Sequence, residues 1–198
     1  MYEFIKGEVA GLSPAHAVIE TPGGVGYYLN ISVQTFSSIG SQKTVKLYTH
    51  FIVREDAQVL YGFYEAVERE LFRLLIGVSG VGGNTARMIL SSFRPEELQS
   101  IIATGKADVL KNVKGLGIKT AQKIIVELKD KVGGVGAADP AMLAIAAGGT
   151  VPAFEEALTA LTLLGFTKGA SEKVLRQIIG DDPGISVEDL IRLALKRL

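Results

Sequence analysis

Apolar positions recur along this chain with two different periods, and the change of period divides it. From Tyr2 to Gly62, short apolar and β-branched runs are punctuated by turn residues. This predicts strands over Tyr2–Val9, His16–Thr21, Val25–Ser32, Val45–Val53 and Gln58–Gly62, with turns at Leu12-Ser13-Pro14 and Pro22-Gly23-Gly24. Five such strands cannot cover two large faces. They point to a small closed or partly closed barrel of the OB type, with a small sandwich as the alternative. Arg54-Glu55-Asp56 interrupts two strand-like runs and reads as a hairpin tip carrying adjacent carboxylates. On the residues alone this is the ordinary preference of acidic side chains for turns.

From residue 64 the period becomes helical. Leu71, Leu74, Leu75 and Val78 fall on one face, and Ala86, Ile89 and Leu90 continue it. Pro95-Glu96-Glu97 begins a further helix, and Val109, Leu110 and Val113 precede Ala121, Ile124, Ile125 and Leu128. The expectation is a bundle of about five short helices over residues 64–132. Residues 133–151 hold five Gly, six Ala and a single charge, Asp139, and read as a flexible linker. Three more helix patterns follow in 152–198: Phe154–Leu164, closed by Gly165; Lys168–Ile179; and Val187–Leu198, opened by Ser186 with Asp189 three residues on. A segment this small sits near the lower limit for independent folding and suits a docking module.

Within the helical stretch one phrase is written twice. Val78–Leu90 (VSGVGGNTARMIL) and Val113–Ile125 (VKGLGIKTAQKII) are offset by 35 residues and identical at six of thirteen positions. Each is a Gly-hydrophobic-Gly turn leading into a helix. The glycines allow positive φ, and Val81 and Leu116 tuck beneath the turn. The following helix then presents free N–H groups and its positive dipole end to a phosphate. Such contacts hold a nucleic-acid backbone without reading its sequence. One copy alone is an ordinary helix-helix turn; two matched copies favour a paired phosphate grip. The candidate DNA contacts are Arg54, Gly80, Val81, Gly82, Gly83, Asn84, Arg87, Gly115, Leu116, Gly117, Lys119, Thr120 and Lys123. Gly115–Thr120 is not an ATPase phosphate loop, because Ile118 stands where that loop needs Gly and the preceding segment is helical.

Charge sharpens this picture. The chain is neutral overall, with 21 basic and 21 acidic residues in 198. Residues 63–132, however, carry eleven Lys/Arg against eight Asp/Glu, and both flanking regions are slightly acidic. Cysteine is absent, so disulfides and thiolate metal sites are excluded. Two His residues, His16 and His50, give no metal spacing, and no cofactor or metal is expected. No apolar run spans a membrane and Met1–Glu8 lacks a signal-peptide core, so a soluble intracellular protein is expected.

The whole chain resembles the RuvA family of Holliday-junction-binding subunits. The resemblance rests on Tyr48–Phe63 (YTHFIVREDAQVLYGF), the two helix-hairpin-helix turns, and the order of barrel, bundle, linker and three-helix segment. It implies a bacterial, cytoplasmic, non-catalytic subunit with four parts: residues 1–63, an OB-type barrel; 64–132, a tandem helix-hairpin-helix DNA-binding domain; 133–151, the linker; and 152–198, a UBA-like three-helix domain. It implies a homotetramer holding an open four-way DNA junction, with a second tetramer able to close over it as an octamer. Glu55 and Asp56 match the family's acidic pin at the junction centre. The C-terminal domain would bind a RuvB-type hexameric AAA+ ATPase, with Leu164 and Phe166 as candidate contacts, and a RuvC-type junction resolvase is a further partner. The chain departs from the family at Asn84 and Ile118, where basic residues are common, and Arg87 is placed to compensate for Asn84. Two readings of other classes stand beside this one: a metal-dependent junction nuclease using Glu55 and Asp56, and a protein-interaction adaptor with structural hairpins.

Overall fold

The computed structural model describes residues 2–135, 153–182 and 184–198. They fall into two compact units, Met1–Gly136 and Ala137–Leu198.

In the first unit, alternating residues bury one face of each strand. Ile5 on β1 (Phe4–Ser13), Ala17 and Ile19 on β2 (His16–Glu20), Leu29 and Ile31 on β3 (Gly26–Ile31), and Val45 and Leu47 on β4 (Thr44–Val53) fill a common interior. A fifth strand, β5 (Gln58–Phe63), closes the barrel in the order β1-β2-β3-β5-β4, with β3 and β5 parallel and every other pairing antiparallel. The barrel expected from the sequence is therefore present and closed. β1 runs longer than its pattern indicated: it extends to Ser13 with a register shift between Val9 and Gly11, so the turn falls at Pro14-Ala15.

One element was not anticipated. Val33–Ile39 forms a helix, α1, between β3 and β4, where only strands and turns were expected. Ser32 caps it by accepting from the Thr35 N–H, and Ile39 plugs the barrel core. The segment lies between the expected strands Val25–Ser32 and Val45–Val53 and was assigned no element; the cap residue was the available signal.

The helical part consists of α2 (Ala66–Ile76), α3 (Gly83–Ser92), α4 (Pro95–Ala103), α5 (Ala107–Leu110) and α6 (Ile118–Leu128). Its core is built from the expected stripe residues, among them Leu71, Leu75, Val78, Ile89, Leu90, Ile124 and Leu128. Barrel and helices share a strand. On β5, Leu60 faces the barrel interior, while Tyr61 and Phe63 pack with Phe72 of α2, at ring-centroid distances of 4.7 and 4.9 Å. The buried run on β5 follows from this double coverage.

A polar seam reinforces the union. The buried Glu68 carboxylate accepts from the Ser32 hydroxyl and, at 2.7 Å, from Thr35 Oγ1, which itself accepts from the Tyr64 N–H at 2.9 Å. Desolvation pushes the Glu68 carboxyl above the usual carboxylate range, against these hydrogen bonds. Arg69, also buried, reaches the Glu3 carboxylate and its backbone carbonyl. After α6, a 3-10 turn (Val132–Gly134) keeps the chain on α4: Gln99 donates to the carbonyls of Val132 and Val135. Residues 133–135 of the expected linker are thus docked, and 136–151 lie outside the described residues.

The second unit contains α7 (Ala153–Leu163), α8 (Lys168–Asp181) and α9 (Val187–Arg197). Ala157, Leu158, Leu161, Leu175, Ile178, Leu190 and Ala194 form its core. Both anticipated boundary signals operate: the Phe166 N–H turns back to the Leu161 carbonyl past Gly165, and Ser186 caps α9 by accepting from the Asp189 N–H.

Candidate nucleic-acid interface

The repeated phrase folds into two hairpins of matching backbone geometry. Gly80 and Gly115 adopt φ of +91° and +86°, in the region that disfavours any Cβ. In each turn the intervening apolar residue bonds back three positions: Val81 N–H to the Val78 carbonyl and Leu116 N–H to that of Val113, both at 3.0 Å. Val81 and Leu116 are buried, as expected for residues that pin the turn from below. Gly82 and Gly117 then serve as N-caps of α3 and α6 with extended backbones, and neither helix has a side-chain cap. The first intrahelical bonds are Ala86 N–H to Gly82 and Ala121 N–H to Gly117. Among the described residues, the N–H groups of residues 83–85 and 118–120 therefore have no acceptor. Two helix ends with open donors are the geometry a pair of phosphate oxygens requires.

The surroundings of the two hairpins differ. Gly83 is buried against the barrel: a Cβ there would lie 2.4 Å from Tyr61 Oη. The equivalent Ile118 is 41% exposed. Asn84 faces solvent, and Arg87 joins α3 to the barrel through one bond, its Nη1 donating to the Ala15 carbonyl at 2.8 Å, while its Nε has no partner among the described residues. On the second hairpin, Lys119 and Lys123 are exposed and form no ion pair among the described residues. Thr85 and Thr120 are half-buried at matching places.

Arg54, Glu55 and Asp56 form the exposed tip of the β4–β5 hairpin. The last strand pair is Val53 with Gln58, and the Arg54 N–H closes on the Ala57 carbonyl at 2.8 Å. The tip and the first hairpin meet. A cleft of about 220 Å³ is lined by Arg54, Asp56 and Tyr61 on one side and by Gly82, Gly83, Asn84 and Thr85 on the other. Among the described residues, no group of three or more His, Cys, Asp or Glu side chains gathers where it could hold a metal ion. No described helix is long and apolar enough to cross a membrane.

In the C-terminal unit Leu164 is 61% exposed, whereas Phe166 is half-buried and packs on the core. Leu163, which was not among the expected contacts, is the more exposed at 84%. The spacing of Ala157, Leu158 and Leu161 already places Leu163 off the buried stripe, and that was the signal for it.

Comparisons with known proteins agree with this architecture. Residues 1–62 match the RuvA N-terminal domain, residues 72–130 a SAM-like helix-hairpin-helix tandem, and residues 152–198 the RuvA C-terminal domain. Proteins named Holliday junction branch migration complex subunit RuvA are similar over their full length. Those of Bacteroides fragilis, Bacteroides thetaiotaomicron and Porphyromonas gingivalis are 53%, 52% and 45% identical, with 100% of both chains covered in each case. With its closed barrel, tandem hairpins and three C-terminal helices, and with about half its residues shared with such relatives end to end, this chain belongs to the RuvA family.

Proposed function

We propose that this protein binds four-way DNA junctions and acts as the non-catalytic, DNA-holding subunit of a branch migration complex. The observation that carries the reading is the pair of matched hairpins with open helix ends, set on one compact unit with an acidic tip. The hairpins grip phosphates of the duplex arms without regard to sequence. Selectivity for a junction then comes from repeating that unit about a symmetry axis, with a homotetramer as the simplest arrangement and an octamer formed by two of them.

In such an assembly Glu55 and Asp56 from each subunit converge where the strands part. Like charges about 4 Å apart repel by about 1 kcal/mol in water and by more in a less polar setting. The tip therefore opposes phosphates at the centre and drives strands outward. Replacing both by Gln and Asn should tighten junction binding a few-fold; weaker binding would count against repulsion as its role. The α7–α9 unit is the docking part for a RuvB-type hexameric ATPase, with exposed Leu163 and Leu164 as its apolar contacts. A RuvC-type resolvase is compatible with one open face of the DNA.

The deciding experiment is a gel shift comparing a synthetic four-way junction with duplex of equal length, alongside native mass to count subunits. The junction should bind far more tightly, and equal affinities would overturn the reading. Incubation of the junction with Mg²⁺ and this protein alone separates the nuclease alternative, which predicts nicks that Glu55→Gln abolishes. Unchanged DNA binding on loss of both hairpins would favour the adaptor.

A further inference from the structure

We propose that the Tyr61 hydroxyl is a phosphate ligand of the first hairpin, supplying a fixed donor beside Asn84, which stands where the second hairpin has Lys119. This deepens the proposed junction-binding role and rests on it.

Tyr61 is only 4% exposed, and its ring stacks at a tilt on Phe72, 4.7 Å away. That packing fixes the direction of the side chain. The hydroxyl lies at the far end, against the first residue of α3, where a Cβ on Gly83 would sit 2.4 Å from it. Among the described residues the hydroxyl makes no hydrogen bond, and its oxygen stays open to solvent. It opens on the cleft shared by Arg54, Asp56, Gly82, Asn84 and Thr85. A helix end with free N–H groups and an unpartnered, directed O–H thus face the same small volume.

Chemistry limits what can enter. The N–H groups of residues 83–85 are donors, the Arg54 guanidinium is a donor, and the phenol can donate. Burial raises the Tyr61 pKa, against the pull of Arg87 and Arg54, which keeps the proton on the oxygen. Asp56 on the rim is an opposing charge and disfavours an anion reaching far out toward the tip. A phosphodiester oxygen seated at the α3 terminus satisfies the donors and keeps clear of Asp56. Gly83 is then required for a positional reason: any side chain there pushes the phenol out of this alignment. The second hairpin has no counterpart, since Ile118 faces solvent and Lys119 provides its charge.

The test uses the full-length protein and a four-way junction. Tyr61→Phe keeps the ring and its packing and removes only the oxygen. Its thermal midpoint should match the parent, and its junction affinity should fall about tenfold, as for loss of a hydrogen bond to a charged group. The loss should be parallel at all salt concentrations, because no cation is removed. The decisive arm is a set of junctions carrying a neutral methylphosphonate at the same backbone position of all four arms, with that position moved stepwise along the arms. At the position seated in the first hairpin, Tyr61→Phe should cost nothing further, a coupling that a merely structural role would not produce. Gly83→Ala should reproduce the loss and the coupling. A parent protein that prefers junctions, together with a Tyr61→Phe variant of equal affinity or of loss uniform across all methylphosphonate positions, overturns this inference and leaves the junction reading intact. A parent with no junction preference overturns the junction reading itself.

Discussion

The two hairpins have the same backbone and different neighbours. In both, a glycine at positive φ reverses the chain, an apolar residue pins the turn, and an uncapped helix follows. The first is built into the barrel through Gly83 against Tyr61 and Arg87 on the Ala15 carbonyl. The second leaves the equivalent Ile118 exposed and carries Lys119 and Lys123. Under the proposed role, one motif would draw on two sources of grip: fixed donors at the first copy, lysine charge at the second. Fixed donors lose little freedom on binding, whereas lysines add counterion release and lose side-chain entropy.

The largest effect should come from the feature the hairpins share. Gly80→Ala with Gly115→Ala forces a Cβ into left-handed backbone at both turns, although nothing lies within 4 Å of either position. The cost is conformational, about 1–2 kcal/mol per site. Both turns would relax away from the phosphate-facing form, and junction affinity should fall on the order of a hundredfold. Singles of comparable size would show that the copies contribute alike despite their surroundings; a much larger effect at Gly80 would give the docked copy the greater share.

Next in size is an asymmetry of stability. Gly83→Ala places a methyl into the Tyr61 hydroxyl and should cost about 1–3 kcal/mol, with a thermal midpoint several degrees lower. Ile118→Ala, at the equivalent exposed position, should stay within about 0.5 kcal/mol. Equal effects would mean that the barrel contact does not distinguish the copies.

Salt dependence separates the two kinds of grip more finely. Lys119→Gln should lower the slope of log affinity against log salt by about 0.9 for each phosphate it no longer neutralises. Asn84→Lys should raise it by a similar amount, giving the first copy the lysine that the second has at Lys119. A slope unmoved by Lys119→Gln would remove charge as the distinguishing property of the second hairpin.

What the sequence disclosed follows the range of the interactions. The hairpins were legible because Gly80, Val81 and Gly82, and their counterparts Gly115, Leu116 and Gly117, define the turn within a few residues. The strands and the helical stripes were legible for the same reason, as was the exposed Arg54–Asp56 tip. Features set by distant partners were not. Arg87 was read only as a substitute cation for Asn84; that it also ties α3 to the Ala15 carbonyl, 72 residues away, was not legible. Gly83 was read only as a candidate DNA contact; that it also seats Tyr61, which a strand of the barrel delivers, was not legible. Helix α1 was hidden because its β-branched residues favour strand locally, and the carboxylate that braces its cap, Glu68, lies in another element. Leu164 follows the spacing of the α7 core and yet is exposed, because the helix ends at Leu163 before the stripe is complete.

The smallest expected effect exploits the contact between the first hairpin and the barrel. His50 is half-buried beside Phe72, 5.5 Å between rings, and lines a groove with Arg54, Ile76, Val81, Gly82 and Gly83. Its Nδ1 is buried without a partner among the described residues. Desolvation, with help from Arg73 and Arg69 and against Glu70, holds its pKa below the ordinary 6.5. A depressed histidine pKa means that the folded state binds the proton less readily than the unfolded chain. Its contribution to stability is complete above about pH 6.5 and is lost progressively as pH falls toward and through the folded-state value. Glu68 acts in the opposite sense, since a raised carboxyl pKa recovers stability on acidification, so the comparison must be with His50→Gln rather than with neutral pH alone. Denaturant midpoints at about pH 7.5 and about pH 5.5 should differ by more in the parent than in His50→Gln. Because the groove touches the first hairpin, the amide resonances of Gly82 and Gly83 should shift over this range and that of Gly117 should not. Equal movement at Gly117 would mean that the two hairpins are coupled through the helical core, and that the barrel does not act on the first alone.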